Sequence, residues 1–302
     1  MDLSALFRLP ATEQLHHRKA LHIHTTLGAS TPALPAAHPA ARYALAHHAL
    51  EGAERAARDE DADTFRWYAQ HLDVNAASLT EEPCMFPVVL APPPNQVQES
   101  PTSHAPTYVI GPSTTPAPDR LRQMTRVAYD HAAESGFGAL LSAHAVVVCL
   151  LSHRPLTGIL RSWTTSRLPG TVFIDYTDHP AVLARDLIHE SGHNWLNDAL
   201  AATGIELNGE EEFFSPWKNT LRPAFGFLHA CWAFPLMMIY AARVLDNART
   251  APEIRRFLAA YLDYQRARLT TTGESHARAL NLVTDAELRH RLRSAHQEAS
   301  AL

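Results

Sequence analysis

The chain has 302 residues, a formal charge of −5, and a composition that is 46% hydrophobic and 19% charged. This is an ordinary balance for a globular protein of one large or two modest domains with a sizeable buried core. It gives no basic field to attract phosphate, so no nucleic-acid partner is expected. Three cysteines, Cys84, Cys149 and Cys231, are far apart and odd in number; they suit a reducing compartment better than a disulfide framework. The opening MDLSALFRLPATEQLHHRKA lacks the basic cap and apolar run of a signal peptide, and a cytoplasmic location is the expectation.

In chain order, the first notable stretch is LHHRKALHIH, with His16, His17, His22 and His24. Its spacing fits no standard metal site and no acidic or thiol partner accompanies it, so no second metal site is expected there. Residues 36–79 are rich in Ala, Leu, Arg and Glu with apolar positions every three to four residues, which predicts helix. His47 and His48 within it read as a solvated helix face. Residues 87–119 are crowded with Pro, Ser and Thr and read as a linker or long loop, with TYVI as a possible edge strand. The expected organisation is therefore an N-terminal helical region over 1–86, the Pro-rich connection over 87–119, and a metal-binding domain over 120–302.

Beyond Asp119 the pattern turns helical again. HAVVVCLL fits helix or strand, while TVFIDY, just after Pro169-Gly170, is the clearest strand in the chain. Pro180 opens a helix that Gly204 is suited to end. A polar loop is expected next. The run Ala224–Ala242 then carries no formal charge and approaches the length that spans a bilayer. It contains His229 and Pro235 and has no Lys/Arg cluster beside it, so a buried core helix, and no membrane partner, is the expectation. Two or three amphipathic helices complete the chain. The expected fold is mainly α (α+β), with a small sheet next to a metal-binding helix in a zincin-like local arrangement.

That helix carries DLIHESGHNWLNDAL. His189 and His193 are one turn apart and project from the same face, the simplest way for one helix to offer two imidazoles to a metal. Glu190 occupies the position of the general base in metallopeptidases. Asp186 and Asn197 share the face and are candidates to orient the imidazoles. Two residues compete as third ligand. Glu212 follows His193 at the spacing of the carboxylate ligand in gluzincin peptidases, which would give a His₂Glu zinc site with Glu190 as base. His229 is the polar residue of an otherwise apolar helix. A metzincin is excluded, because Ala199 stands where its third histidine would be.

The blocks HESGHNWLNDAL and FFSPWKNTLRPAFGFLHACWAF resemble the HExxH-type family of α-ketoglutarate-dependent peptide β-hydroxylases, earlier described as peptide-modification proteins. The matching residues are Ser215, Pro216, Trp217, Arg222, Pro223, Leu228, His229 and Phe234, and the resemblance spans about residues 160 to 245. Lys218 stands where the family usually has Arg, which keeps the charge and loses the bidentate fork.

The resemblance implies an Fe(II)- and α-ketoglutarate-dependent oxygenase. It would hydroxylate the β-carbon of a residue in a precursor peptide, of the ribosomally made natural-product kind, and release succinate and CO₂. Non-haem iron of this type needs few protein ligands and adjacent open positions. Under this reading Arg222, with Lys218 behind it, binds the distal carboxylate of the co-substrate, and Trp217 walls the pocket. Glu190 then holds a water or a ligand. The zinc peptidase built on Glu212 is the alternative.

Overall fold

The computed structural model describes residues 3–28, 39–79, 87–100, 103–207, 209–248 and 250–302. Four helices come first: α1 (Leu3–Phe7), α2 (Pro10–Thr26), α3 (Pro39–Arg58) and α4 (Ala62–Ser78). Strand β1 (Val88–Leu90) and the antiparallel pair β2 (Gln98–Ser100) and β3 (Ser103–Thr107) follow. Helices α5 (Asp119–Glu134) and α6 (Gly138–His144) lead into β4 (Val147–His153), β5 (Ser162–Trp163) and β6 (Thr171–Tyr176). The remainder is α7 (Pro180–Thr203), the pair β7 (Glu212–Ser215) and β8 (Thr220–Pro223), α8 (Ala224–Asp246), α9 (Pro252–Leu269), α10 (Gly273–Leu280) and α11 (Ala286–Ser300). This is the mainly helical α+β class that the sequence predicts. Cys84 lies outside the described residues; Cys149 and Cys231 are buried thiols.

The main sheet has the order β1-β4-β6-β5, with β1, β4 and β6 parallel and β5 antiparallel on the edge. Side-chain alternation divides it between two cores. Val148, Leu150, Val172 and Ile174 face the large core shared with α5 to α8. Val147, Cys149 and Phe173 face a second core with Ala44, Leu45 and Ala49 of α3 and with Tyr108 and Ile110. Burial on both faces is why β4 reads as an unbroken apolar run rather than an alternating one, and it decides HAVVVCLL in favour of strand. The Pro-rich stretch supplies β1 to this sheet. TYVI contributes little to a strand: β3 ends at Thr107, and Tyr108 and Ile110 serve as core side chains.

The N-terminal histidines depart from expectation. LHHRKALHIH lies in α2, with His16 and His24 buried and His17 and His22 exposed. His48 is wholly buried rather than solvated: it accepts the Ile110 backbone N–H at Nδ1, 3.2 Å away, which places its own proton on Nε2, 3.0 Å from the Thr171 hydroxyl. Sequence periodicity could not report this, because both partners are distant in the chain.

Helix α7 begins at Pro180, whose fixed φ suits the first turn, and stops at Gly204, which takes the left-handed conformation (φ +66°) that a side chain disfavours. It packs along α8. Trp195 stacks on Trp232 with centroids 4.5 Å apart, Trp232 Nε1 donates to the Gly192 carbonyl at 3.0 Å, and the Tyr240 hydroxyl donates to the Ala181 carbonyl at 2.9 Å. Burying each indole contributes roughly 4–6 kcal/mol by area, an upper bound. Helix α8 is long and apolar enough to cross a membrane by length and composition, yet 83% of its apolar window is buried inside the protein. Its apolarity is therefore used in packing.

The segment expected to be a polar loop is a β-hairpin. Phe213 and Ser215 point inward while Glu212 and Phe214 point out, and the reversal passes through Asn219 at φ +52°. The acidic run before it obscured this two-residue alternation.

Candidate metal centre

Along the middle of α7 nearly every residue is buried; the partly open positions are 189, 193 and 197, each one turn from the next. Two residues of this stripe face α8: His193 meets His229 and the His189 ring meets Phe234. His189 Nε2 and His193 Nε2 are 3.1 Å apart, and His193 Nδ1 is 3.0 Å from His229 Nδ1 on α8. The rings of His193 and His229 stack at 5.2 Å. The structure thus brings the three histidines into one row, with His193 in the centre facing His189 through one nitrogen and His229 through the other.

All three are held neutral. Burial is the largest cause for each. For His189 the neighbouring His193, Arg185 and Lys218 add to it, and its pKa falls well below the ordinary imidazole value. His193 is lowered to about 4 by burial, Arg222 and Lys218. His229 falls well below the ordinary value through burial, His193 and Arg222. Neutral imidazoles keep lone pairs for a cation. Two buried nitrogens, His189 Nδ1 and His229 Nε2, have no hydrogen-bond partner among the described residues. The close Nε2 pair of His189 and His193 fits two ligands of a divalent metal. His229 meets the other nitrogen of His193 and does not bring a ligand atom close to both, so it would join the set only with its ring turned, or else orients His193.

Glu190 is buried and accepts a hydrogen bond from the Ser162 hydroxyl of edge strand β5 at 2.7 Å. Its Oε1 lies 4.0 Å from His189 Nε2. Burial raises its pKa to about 8, the Asp186 carboxylate adds to this, and the Ser162 contact opposes it. Ser162 is a partner the sequence could not name, since a two-residue strand has no periodic signature.

Arg222 and Lys218 approach the histidine row from the hairpin. Arg222 is half-buried, and its guanidinium lies across Gly226 at the start of α8, where an added Cβ would stand 2.8 Å from Cζ. Neither cation has an ion pair or side-chain hydrogen bond among the described residues, although both act on the histidine row. Trp217 stacks face to face on Phe234 at 4.8 Å, donates to Gln265 Oε1 at 2.8 Å, and Phe234 in turn meets the His189 ring at 5.0 Å. Trp217 therefore walls the site through Phe234.

Two expectations change. Glu212 is solvent-exposed at the first position of β7, and among the described residues it forms no group of close ligand atoms with His189 and His193. Asp186 pairs with its neighbour Arg185 at 2.6 Å instead of orienting an imidazole, and Arg185 lies over the rings of Phe257 and Tyr261.

A second cluster sits further along the same helix. His16, His144 and Asp198 are all buried, and their ligand atoms all lie within 4.8 Å of one another. Sequence spacing gives His16 no acidic partner nearby; the fold supplies one in Asp198.

No family model and no curated protein matches this chain. The residues themselves must therefore carry the functional reading.

Proposed function

We propose that the chain is an Fe(II)- and α-ketoglutarate-dependent oxygenase that hydroxylates a peptide residue, with its centre at His189, His193 and His229. The observation that carries this reading is the half-buried Arg222, without an ion pair among the described residues, beside a row of neutral histidines, with the solvent-exposed Lys218 adding its charge from the hairpin turn. Adding a divalent metal makes the space strongly positive, and only an anionic ligand balances it. A dicarboxylate co-substrate would supply that charge, and Arg222 is the residue that would hold its distal carboxylate. A peptidase has no evident use for either cation, and Glu212, its carboxylate ligand, faces solvent.

When bound, iron and α-ketoglutarate together activate O₂, yielding succinate, CO₂ and a hydroxylated substrate carbon. The chain's own residues do the positioning. His189 and His193 hold the metal, and His229 braces or completes the set. Glu190, fixed by Ser162, keeps a proton or a water beside the metal face of His189. Phe225, Phe214 and Leu221 form an exposed apolar rim next to the site, with the Phe225 ring 4.3 Å from that of His229. Such a rim suits the side chains of an incoming peptide.

The test is anaerobic addition of Fe(II) and then α-ketoglutarate to metal-free protein, followed in the visible spectrum. A metal-to-ligand charge-transfer band, lost in His193→Ala, is the expected result. Absence of the band, with zinc retained and peptide-bond cleavage observed, would replace this reading with a zinc peptidase.

A further inference from the structure

The cluster at the far end of α7 is outside the oxygenase site. His16 comes from α2, His144 from the last residue of α6, and Asp198 from α7, so three elements distant in sequence meet at one carboxylate. His16 Nε2 is 2.8 Å and His144 Nδ1 is 3.2 Å from the same oxygen, Asp198 Oδ2. The Tyr43 hydroxyl lies 3.3 Å from the other oxygen, and the Tyr43 ring stacks on His16 at 4.3 Å. His16, His144 and Asp198 are each less than 5% exposed.

We infer that His16, His144 and Asp198 form a second, structural divalent-metal site, of the class that takes zinc. The 3.2 Å between His144 Nδ1 and Oδ2 is that of two ligands on one ion, since metal–ligand bonds of ~2.0–2.1 Å in a tetrahedron place donor atoms about 3.3 Å apart. The 2.8 Å of His16 Nε2 is a direct hydrogen bond that would lengthen slightly around an ion. A purely hydrogen-bonded network accounts for the cluster less well. His144 Nδ1 is buried 3.2 Å from Oδ2, in electrostatic contact with it but without the alignment of a good hydrogen bond. A lone pair aimed into a space shared with a carboxylate and a second imidazole is the arrangement a cation completes. The donor set is borderline nitrogen and oxygen, suited to zinc. The Tyr43 hydroxyl, 3.3 Å from Asp198 Oδ1, is a candidate fourth donor, through oxygen. Closure on all sides marks the site as structural, since a catalytic zinc keeps a position open to substrate. The ion would staple α2 and α6 onto the helix that bears the oxygenase motif, and would add its binding free energy to folding.

The test uses the full-length chain with the first site silenced. His189→Ala/His193→Ala protein, produced with zinc and dialysed, is expected to retain one equivalent of zinc by native mass spectrometry. Adding Asp198→Asn, which preserves shape and removes the charge, is expected to lose it. If the double variant retains none, or if the triple variant retains it equally, the proposal is overturned. If the triple variant does not fold, zinc X-ray absorption on the double variant decides. A nitrogen and oxygen shell with the signature of two imidazoles supports the site, and any other shell rejects it. The outcome is separable from the oxygenase reading, because the silenced variant reports on the second cluster whether or not iron binds the first.

Discussion

Helix α7 carries two sets of polar residues, and they differ in almost every physical respect. His189 and His193 lie on the partly open stripe that faces α8, while Asp198 is sealed beneath α2, α3 and α6. In the open set the histidine row lies near Arg222 and Lys218, which have no ion pair among the described residues. In the sealed set, burial alone would raise the Asp198 pKa, but contacts from His144 and His16 outweigh it and hold the carboxyl at about 2. One set is short of negative charge and accessible, as a ligand-binding site must be; the other is shut off from solvent, as a structural joint must be. A single helix thus separates binding from cohesion by only a turn or two.

Mutation should break that symmetry most sharply. Asp198→Ala leaves His16, His144 and Tyr43 buried around nothing, and a loss of about 3–5 kcal/mol in denaturant unfolding is expected. His193→Ala should change stability by no more than about 1 kcal/mol while abolishing the charge-transfer band. If both variants were equally destabilised, the division between the two sets would be wrong. Next in size, Arg222→Ala should raise the α-ketoglutarate concentration needed for half-saturation roughly 10–100-fold, the worth of a charge-assisted contact; spectroscopic titration measures it, and an unchanged requirement removes Arg222 from its role.

A third test concerns the far side of the sheet. Glu51 of α3 is buried and takes Arg167 through Nε at 2.9 Å and Nη2 at 2.6 Å, with Arg55 beside it. Burial pushes its pKa up, and the two guanidiniums outweigh this and lower it overall. A folded-state pKa below the unfolded one gives stability that is present above the unfolded value and is lost as pH falls through the folded value. Acid unfolding of Glu51→Gln should therefore show a shallower acid limb than the parent, while the histidine row's metal binding at neutral pH is untouched. The smallest effect is expected at Gly226→Ala. Alanine favours the helix by roughly 0.5–1 kcal/mol, yet its Cβ displaces the Arg222 guanidinium. Stability should hold or rise slightly while the α-ketoglutarate requirement increases several-fold.

What was legible in the sequence follows the range of the interactions. The motif His-Glu-x-x-His, the strand TVFIDY before it, Pro180 and Gly204 are local signals, and α7 forms between the expected ends. His229 drew notice as a polar group in an apolar run, and α8 places it against His193. The hairpin was obscured by an acidic run, and Ser162 by the shortness of its strand. The Asp198 cluster was beyond any local pattern: His16 and Asp198 are 182 positions apart. Charge on a helix face shows in sequence, but the partner that neutralises it across the fold does not.

The two-faced sheet has a practical consequence for anyone dividing the chain. The Pro-rich stretch invites a cut, leaving a fragment that begins near residue 120 and keeps every residue of the candidate centre around His189, His193 and His229. That fragment would lack β1 and α3. It would bare the β4 edge, with its row of unpaired backbone amides and carbonyls, and expose Val147, Cys149 and Phe173 to water. An open edge beside an apolar face is a template for self-association. Such a fragment is expected to be recovered as aggregate, with its histidine row intact and out of reach.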